Sequence, residues 1–212
     1  MPRLRLRFDG WIAGLGTASG TRLVVGNWPV SPFGPVTDVM LERADGHRLL
    51  LAATSDLAAF VVRTYTFDEV LVVPVSASQS GRRWTVVAGP LLMRFTVGRR
   101  TPLGLLLRAV PPVLASRPWW VRLIDGPARL AQPGVRTYGS AGNGHREWYG
   151  ARDLRRITDA TATLDGTDLG ALTAVDPPVR FGFGSTPRAP SLLRITTIVE
   201  LPQAGPGRHL PA

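Results

Sequence analysis

The sequence of residues 37–51 is TDVMLERADGHRLLL, and this stretch decides the fold class. Residues 37–42 and 47–51 are strand-like runs, and the four residues between them, Arg43-Ala44-Asp45-Gly46, contain an Asp-Gly pair. An Asp-Gly pair supplies the positive backbone φ angles that a tight hairpin turn needs. The stretch therefore predicts an antiparallel β-hairpin.

Further strand-like runs extend outward from this hairpin in both directions. Residues 70–76, 84–87 and 91–97 are separated by turn-rich segments, and this spacing predicts a meander. The C-terminal third contains strand-like runs at 160–164, 179–183 and 192–201. The last of these is rich in β-branched residues, so we expect it to form a central strand.

Two short helices are predicted between the strands. Thr54 or Ser55 can cap the first helix, and Thr101-Pro102 has the pattern of a cap followed by a first-turn proline. We therefore predict a mainly β fold, an antiparallel barrel or sandwich built from hairpins with two or three short helices. We expect one domain over residues 1–201 and a disordered tail at 202–212, which is rich in proline and glycine.

The composition excludes several kinds of chemistry. The chain has no cysteine, so disulfides, thiolate nucleophiles and sulfur-ligated zinc sites cannot form. It also has no lysine, which excludes a Schiff base, a pyridoxal-phosphate anchor and a phosphate-loop lysine. A three-histidine metal site would need His47, His145 and His209 to converge. We predict that the protein uses no cofactor and no metal.

The net charge of +10 suggests nucleic acid as a partner, but its distribution does not support this. All 25 basic residues are arginine, which is typical of a GC-rich bacterial genome, and each half of the chain carries a charge of +5. Nucleic-acid-binding modules usually concentrate their charge on one element. The most apolar window, residues 101–120, is interrupted by arginines and prolines, so a membrane span is not expected. We predict a soluble, basic, cytoplasmic protein and leave its oligomeric state open.

The densest set of chemically active side chains lies in residues 136–156. If this segment is extended, His145, Glu147 and Tyr149 lie on one face, because side chains alternate along a strand. A histidine beside a carboxylate is the usual minimum for general acid–base catalysis, and a nearby arginine such as Arg152 could hold an anionic substrate. The candidate catalytic residues are therefore His145 and Glu147, with Tyr138, Tyr149 and Arg152 as candidate ligand contacts. A half-exposed strand with cross-strand ion pairs would carry the same residues, so a structural role stays open.

Two aromatic loops, residues 26–35 and 180–187, point to a different kind of function. Such loops can close the mouth of a barrel around an apolar pocket. The candidate lining residues are Trp28, Phe33, Phe181 and Phe183. The same side chains could instead fill the ends of the core, and this alternative also stays open.

Two hypotheses about function follow. The first is non-enzymatic binding of an apolar or anionic small molecule in the interior of a β-barrel. The alternative is a cofactor-free enzyme of the isomerase or lyase type, in which His145 and Glu147 form an acid–base pair. The first predicts a histidine-free pocket near Trp28 and Phe181, whereas the second predicts that His145 and Glu147 both face a cleft.

Overall fold

The computed structural model describes residues 4–115, 117, 119–123, 137–140, 145–182 and 186–201. Within these residues the chain forms one mainly β fold around a 13-stranded sheet. The strands are β1 (Arg5–Thr17), β2 (Arg22–Val30), β3 (Val36–Glu42), β4 (Arg48–Ala52), β5 (Glu69–Val72), β6 (Val75–Ser80), β7 (Arg83–Ala88), β8 (Leu91–Arg100), β9 (Tyr138–Ser140), β10 (Arg146–Leu164), β11 (Thr167–Asp168), β12 (Leu172–Thr173) and β13 (Ser191–Glu200).

Short helices connect some of these strands: α1 (Ser55–Thr64), α2 (Pro102–Ala109) and α3 (Pro112–Ala115). The Thr54 side chain caps α1 by accepting a hydrogen bond from the Leu57 amide at 3.2 Å. Thr101 caps α2 in the same way, with Pro102 in the first turn. The predicted helix starts are therefore confirmed. None of the described helices has the length and apolar character needed to cross a membrane.

The order of strands explains why the sheet curls. The order is β5-β4-β3-β2-β1-β13-β10-β8-β7-β6, and β9, β11 and β12 pair at its sides. The two edge strands, β5 and β6, are consecutive in the chain, with only Val73 and Pro74 between them. The two edges must therefore lie near each other, which curls the sheet into a half-barrel. The predicted fold class is confirmed.

The hairpin at residues 37–51 is also confirmed, with a detail that differs from the prediction. Strands β3 and β4 pair antiparallel from Asp38↔Ala52 to Glu42↔Arg48. Gly46 takes a positive φ of 91°, but Asp45 does not. The Asp45 carboxylate instead accepts a hydrogen bond from the His47 amide at 2.9 Å, which stabilises the turn through its side chain.

One predicted strand is divided in the structure, and another does not form in the described residues. Residues 70–76 divide into β5, which pairs parallel with β4, and β6, which pairs antiparallel with β7. The division falls at Pro74, whose ring nitrogen cannot donate to a strand ladder. Residues 179–182 form no strand, because their backbone groups bond elsewhere: the Arg180 amide donates to Glu42 at 2.7 Å, and the Phe181 carbonyl accepts from Thr66 at 2.7 Å.

The two faces of the sheet bury different clusters. Odd-numbered residues of β1 to β4, such as Leu23 and Leu41, pack against Trp84, Met93 and Phe95 and fill the interior of the curl. Alternate side chains point to opposite faces of a strand. The even-numbered residues therefore form a second apolar surface on the outer side of the curl, against which α1 packs.

Candidate binding cavity

A cavity of about 140 Å³ lies on this second surface, between the sheet and α1. Strands β1, β2, β3, β10 and β13 contribute alternate residues to its wall, and Val179 and Phe181 from the segment after β12 close another side. An engineered protein cavity of about 150 Å³ binds benzene. The volume therefore suits a molecule built on one six-membered ring.

The wall of the cavity is mostly apolar and aromatic. Six lining residues carry aromatic rings, namely Phe8, Trp28, Phe60, Tyr65, Tyr149 and Phe181. Two carboxyl side chains, Asp38 and Glu147, also line it. No arginine or histidine is among the lining residues in the described part of the chain. The cavity thus combines aromatic walls with two acidic groups.

Glu147 lies at the centre of a cluster of three polar side chains. It is on β10, and its side chain is 1% exposed. Tyr149, two residues along the same strand, donates a hydrogen bond to Glu147 Oε2 at 2.7 Å, and Tyr65 at the end of α1 lies 3.0 Å from the same oxygen. The two phenol oxygens are 2.6 Å apart. Each oxygen group of the cluster therefore contacts the other two.

The number of hydrogens in this cluster depends on the protonation of Glu147. Ionised Glu147 leaves two phenol hydrogens for three close oxygen contacts, so one contact has no hydrogen. Protonated Glu147 supplies the third hydrogen and completes a ring of hydrogen bonds. Burial raises the pKa of Glu147 to about 7, although the hydrogen bonds from Tyr149 and Tyr65 lower it. Burial and the nearby Glu147 charge also raise the pKa values of Tyr65 and Tyr149, so both phenols stay protonated near neutral pH.

Asp38 is the second buried carboxyl of the cavity. It is on β3 and 4% exposed, and the indole Nε1 of Trp28 donates a hydrogen bond to its Oδ1 at 3.1 Å. Burial raises the pKa of Asp38 to about 7, while the Trp28 hydrogen bond lowers it. The two carboxyl groups can therefore change protonation near neutral pH, which is a frequent property of functional sites.

Gly26 makes room for the bond between Trp28 and Asp38. A Cβ at position 26 would lie 2.5 Å from Trp28 Nε1 and 2.7 Å from Asp38 Oδ1. We expect Gly26→Ala to displace both groups and to lower the free energy of unfolding by about 1–3 kcal/mol. Chemical denaturation measures this loss, and the Trp28 indole N–H signal in NMR reports the hydrogen bond. Asp38→Asn keeps an acceptor for the indole and is the control. An unshifted indole signal in Gly26→Ala would contradict the prediction.

Thr197 places one more polar atom in the cavity wall. It is on β13, opposite Tyr149 on β10, and is 5% exposed. Its Oγ1 has no hydrogen-bond partner among the described residues. Buried hydroxyl groups are nearly always hydrogen-bonded in proteins. This hydroxyl is therefore available to a ligand in the cavity.

A buried ion pair positions the segment that carries Phe181. The Glu42 carboxylate is fully buried and binds Arg22 at 2.9 Å. It also accepts hydrogen bonds from the Arg180 amide at 2.7 Å and from Arg180 Nε at 3.0 Å. Phe181 stacks on Phe67 with ring centroids 5.6 Å apart. These contacts hold the Phe181 ring at the cavity.

The structure brings together four of the candidate residues named from the sequence: Glu147, Trp28, Tyr149 and Phe181 all line the cavity. His145 is two residues before Glu147 and is buried, but it is not among the described residues that line the cavity. Its Nδ1 lies 3.2 Å from Thr64 Oγ1. Burial and the charge of Arg63 lower its pKa. The geometry therefore does not place His145 and Glu147 in one cleft.

The other candidates lie elsewhere or outside the described residues. Phe33 packs on Phe60 with centroids 5.4 Å apart, in the cluster beside the cavity. Tyr138 packs on Trp148, and Arg152 pairs with Asp9; these contacts are on the opposite face of the sheet from Glu147. This placement follows from strand alternation, since Trp148 and Glu147 are neighbours on β10. Phe183 lies outside the described residues.

Asp38, Tyr65 and Thr197 are members of the site that were not predicted from the sequence. Asp38 could have been found from the sequence. It lies two positions before Met40 in a strand-like apolar run, so its side chain is expected on the same buried face. Tyr65 and Thr197 had no comparable signal. They reach Glu147 and Tyr149 only through the packing of α1 and the pairing of β13 with β10.

No protein-family model matches the chain, and no curated protein matches it. Among solved structures, the crystal structure of acetoacetate decarboxylase from Legionella pneumophila is weakly similar. The TM-score is 0.44 and the sequence identity 10%, over 94% of this chain and 86% of that chain. This likeness concerns the course of the backbone alone.

Proposed function

We propose that the protein binds a small, largely apolar molecule in the cavity between the sheet and α1. The observation that carries the proposal is the 140 Å³ cavity, with aromatic walls and a few convergent polar groups. Ligand sites typically combine these features, since the apolar wall supplies affinity and the polar groups fix orientation. The site differs from the hypothesis of a barrel interior, because side chains fill the interior of the curl. The wall also supports an apolar ligand better than an anionic one, since its charged groups are acidic.

The test uses cyclohexanol as the probe, because it contains one six-membered ring and one hydroxyl group. We expect isothermal titration calorimetry to show binding in the millimolar range or tighter, as is usual for a ligand of this size. Val24→Phe and Ala151→Leu, two substitutions that fill the cavity, should weaken binding strongly. Val62→Phe adds the same ring as the first variant at an exposed position of α1 and is the control. Absence of binding to the wild-type protein, or unchanged affinity in both folded cavity variants, would overturn the proposal.

A second candidate function is a cofactor-free isomerase or lyase, and one observation favours it. The Glu147 carboxyl, with a pKa of about 7, is a suitable proton acceptor near neutral pH. His145 is not part of this version of the hypothesis, because it does not line the cavity. Incorporation of solvent deuterium into a cyclic ketone such as cyclohexanone, lost in Glu147→Gln, is the expected signature. No exchange above the rate of the buffer alone would remove this candidate.

A further inference from the structure

The charges and rings around the cavity define the chemical class of its ligand, and this inference rests on the binding function proposed above. We propose that the cavity takes a molecule with an apolar ring and one protonated amino group, and that the amino group pairs with the Glu147 carboxylate. The Thr197 hydroxyl is the second polar contact.

The oxygen atoms of the Glu147 cluster can accept more hydrogen bonds than the phenol groups of Tyr65 and Tyr149 donate. When Glu147 is ionised, Tyr65 and Tyr149 supply only two hydrogens for three oxygen contacts within 3.0 Å. An ammonium group carries three N–H donors and a positive charge. Its N–H groups can donate to the oxygen atoms of the cluster, and its charge can neutralise the buried carboxylate. A neutral alcohol supplies a donor without the charge, and a carboxylate ligand supplies neither.

Among the described residues that line the cavity, no cation pairs with Glu147. The titratable groups that contact it are Tyr65 from the end of α1 and Tyr149 from β10. Asp38 on β3 adds negative charge near Tyr65. His145 precedes β10 and contacts Thr64, at a site where the charge of Arg63 disfavours its protonation. Among the described lining residues, nothing else supplies the positive charge that a ligand can bring.

The aromatic wall of the cavity also favours a cationic ligand. The faces of Trp, Tyr and Phe rings attract cations, and cages of such rings recognise ammonium groups in proteins. Six aromatic residues surround this cavity beside two carboxyl groups. Burial of Glu147 has already removed its carboxyl group from water during folding. The ligand therefore bears only the desolvation cost of its own ammonium group, which the ion pair and the rings offset.

The Thr197 hydroxyl is an independent indication of a ligand. It is 5% exposed, lines the cavity, and has no hydrogen-bond partner in the part of the chain that the structure describes. It lies across from Tyr149 in the pairing of β13 with β10. A polar group of a ligand bound at Glu147 and Tyr149 is therefore within the same part of the cavity.

The experiment compares three probes of equal size: cyclohexylammonium, cyclohexanol and cyclohexanecarboxylate. At about pH 7.5 we expect calorimetry to give affinity about tenfold or more higher for the ammonium than for the alcohol, with the carboxylate weakest. Below the pKa of Glu147, the ammonium must displace a proton. Its affinity should therefore rise about tenfold per pH unit toward pH 7, whereas the affinity for cyclohexanol should not rise.

Two conservative variants identify the partner group. Glu147→Gln should remove the preference for the ammonium over cyclohexanol and the pH dependence of that preference. Asp38→Asn should retain the preference. If cyclohexanol binds but the ammonium is not preferred, or if only Asp38→Asn removes the preference, the inference is wrong and the binding function stands. If none of the three probes binds, the proposed binding function itself fails.

Discussion

Replacement of Glu42 by alanine is expected to destabilise the protein by about 3–5 kcal/mol, because it leaves the buried Arg22 guanidinium without a carboxylate to balance its charge. Glu42 is fully buried, the Arg22 side chain is 5% exposed, and the two lie 2.9 Å apart. The substitution also removes the acceptor for the Arg180 amide. Because Phe181 follows Arg180, we expect the cavity to lose part of its wall, and cyclohexanol binding should weaken in the folded variant. Chemical denaturation measures the stability.

Two controls distinguish the effect of the buried Arg22–Glu42 pair from that of the exposed Arg180–Glu42 pair. The Arg180 side chain also pairs with Glu42 but is 70% exposed. We therefore expect Arg180→Ala to lower the free energy of unfolding by about 1 kcal/mol or less. The double variant Arg22→Met with Glu42→Leu replaces the buried pair by apolar groups and should recover most of the stability. If Glu42→Ala is as stable as Arg180→Ala, the prediction is wrong, because the buried Arg22 guanidinium then does not need the Glu42 carboxylate for stability.

A rise in pH from about 5 to about 8 is expected to lower the stability of the wild-type protein, relative to Glu147→Gln, by about 2–3 kcal/mol. The pKa of Glu147 is about 7 in the folded protein, compared with an ordinary value of 4.5. Between these values the folded protein keeps a proton that the unfolded chain has lost. Each increase in pH through this window therefore favours unfolding, and the effect ends above the folded pKa.

The comparison with Glu147→Gln is necessary because other groups titrate in the same range. Asp38 has a raised pKa and acts in the same direction as Glu147, whereas His145 has a lowered pKa and acts in the opposite direction. The glutamine variant keeps both groups, so the difference between the two unfolding free energies isolates Glu147. Urea denaturation at several pH values measures it. A difference that does not change with pH would disprove the buried, protonated state of Glu147.

The local elements could be predicted from the sequence because their signals are short-range. The hairpin at residues 37–51 follows from Asp45-Gly46 between two apolar runs, and Thr54 and Thr101 mark helix starts by a side chain that bonds the backbone three residues on. The β-branched run at 192–201 predicted a central strand, and β13 lies between β1 and β10. Each of these depends on neighbours within a few residues.

The errors in the prediction arose where distant parts of the chain decide the structure. Residues 70–76 form a continuous β-like run, but its two halves join opposite edges of the curled sheet. Residues 179–182 have a strand-like composition, yet Glu42 and Thr66 take up their backbone groups. Tyr138 and Arg152 share a segment with Glu147, but Tyr138 pairs with Trp148 and Arg152 follows Ala151, so strand alternation places both on the other face.

By itself, the sequence determined the class of fold, the helix caps, the absence of thiol and lysine chemistry, and the presence of Glu147 and Tyr149 on one face of a strand. Only the tertiary structure decided that this face meets Tyr65, 82 residues away from Glu147, and that Asp38 lines the same cavity. The physical reason is that burial and charge depend on packing partners. The carboxyl of Glu147 is ordinary in the sequence, and its pKa is raised because α1 and the strands β1, β3 and β13 bury it, with no cation among the described residues that line the cavity.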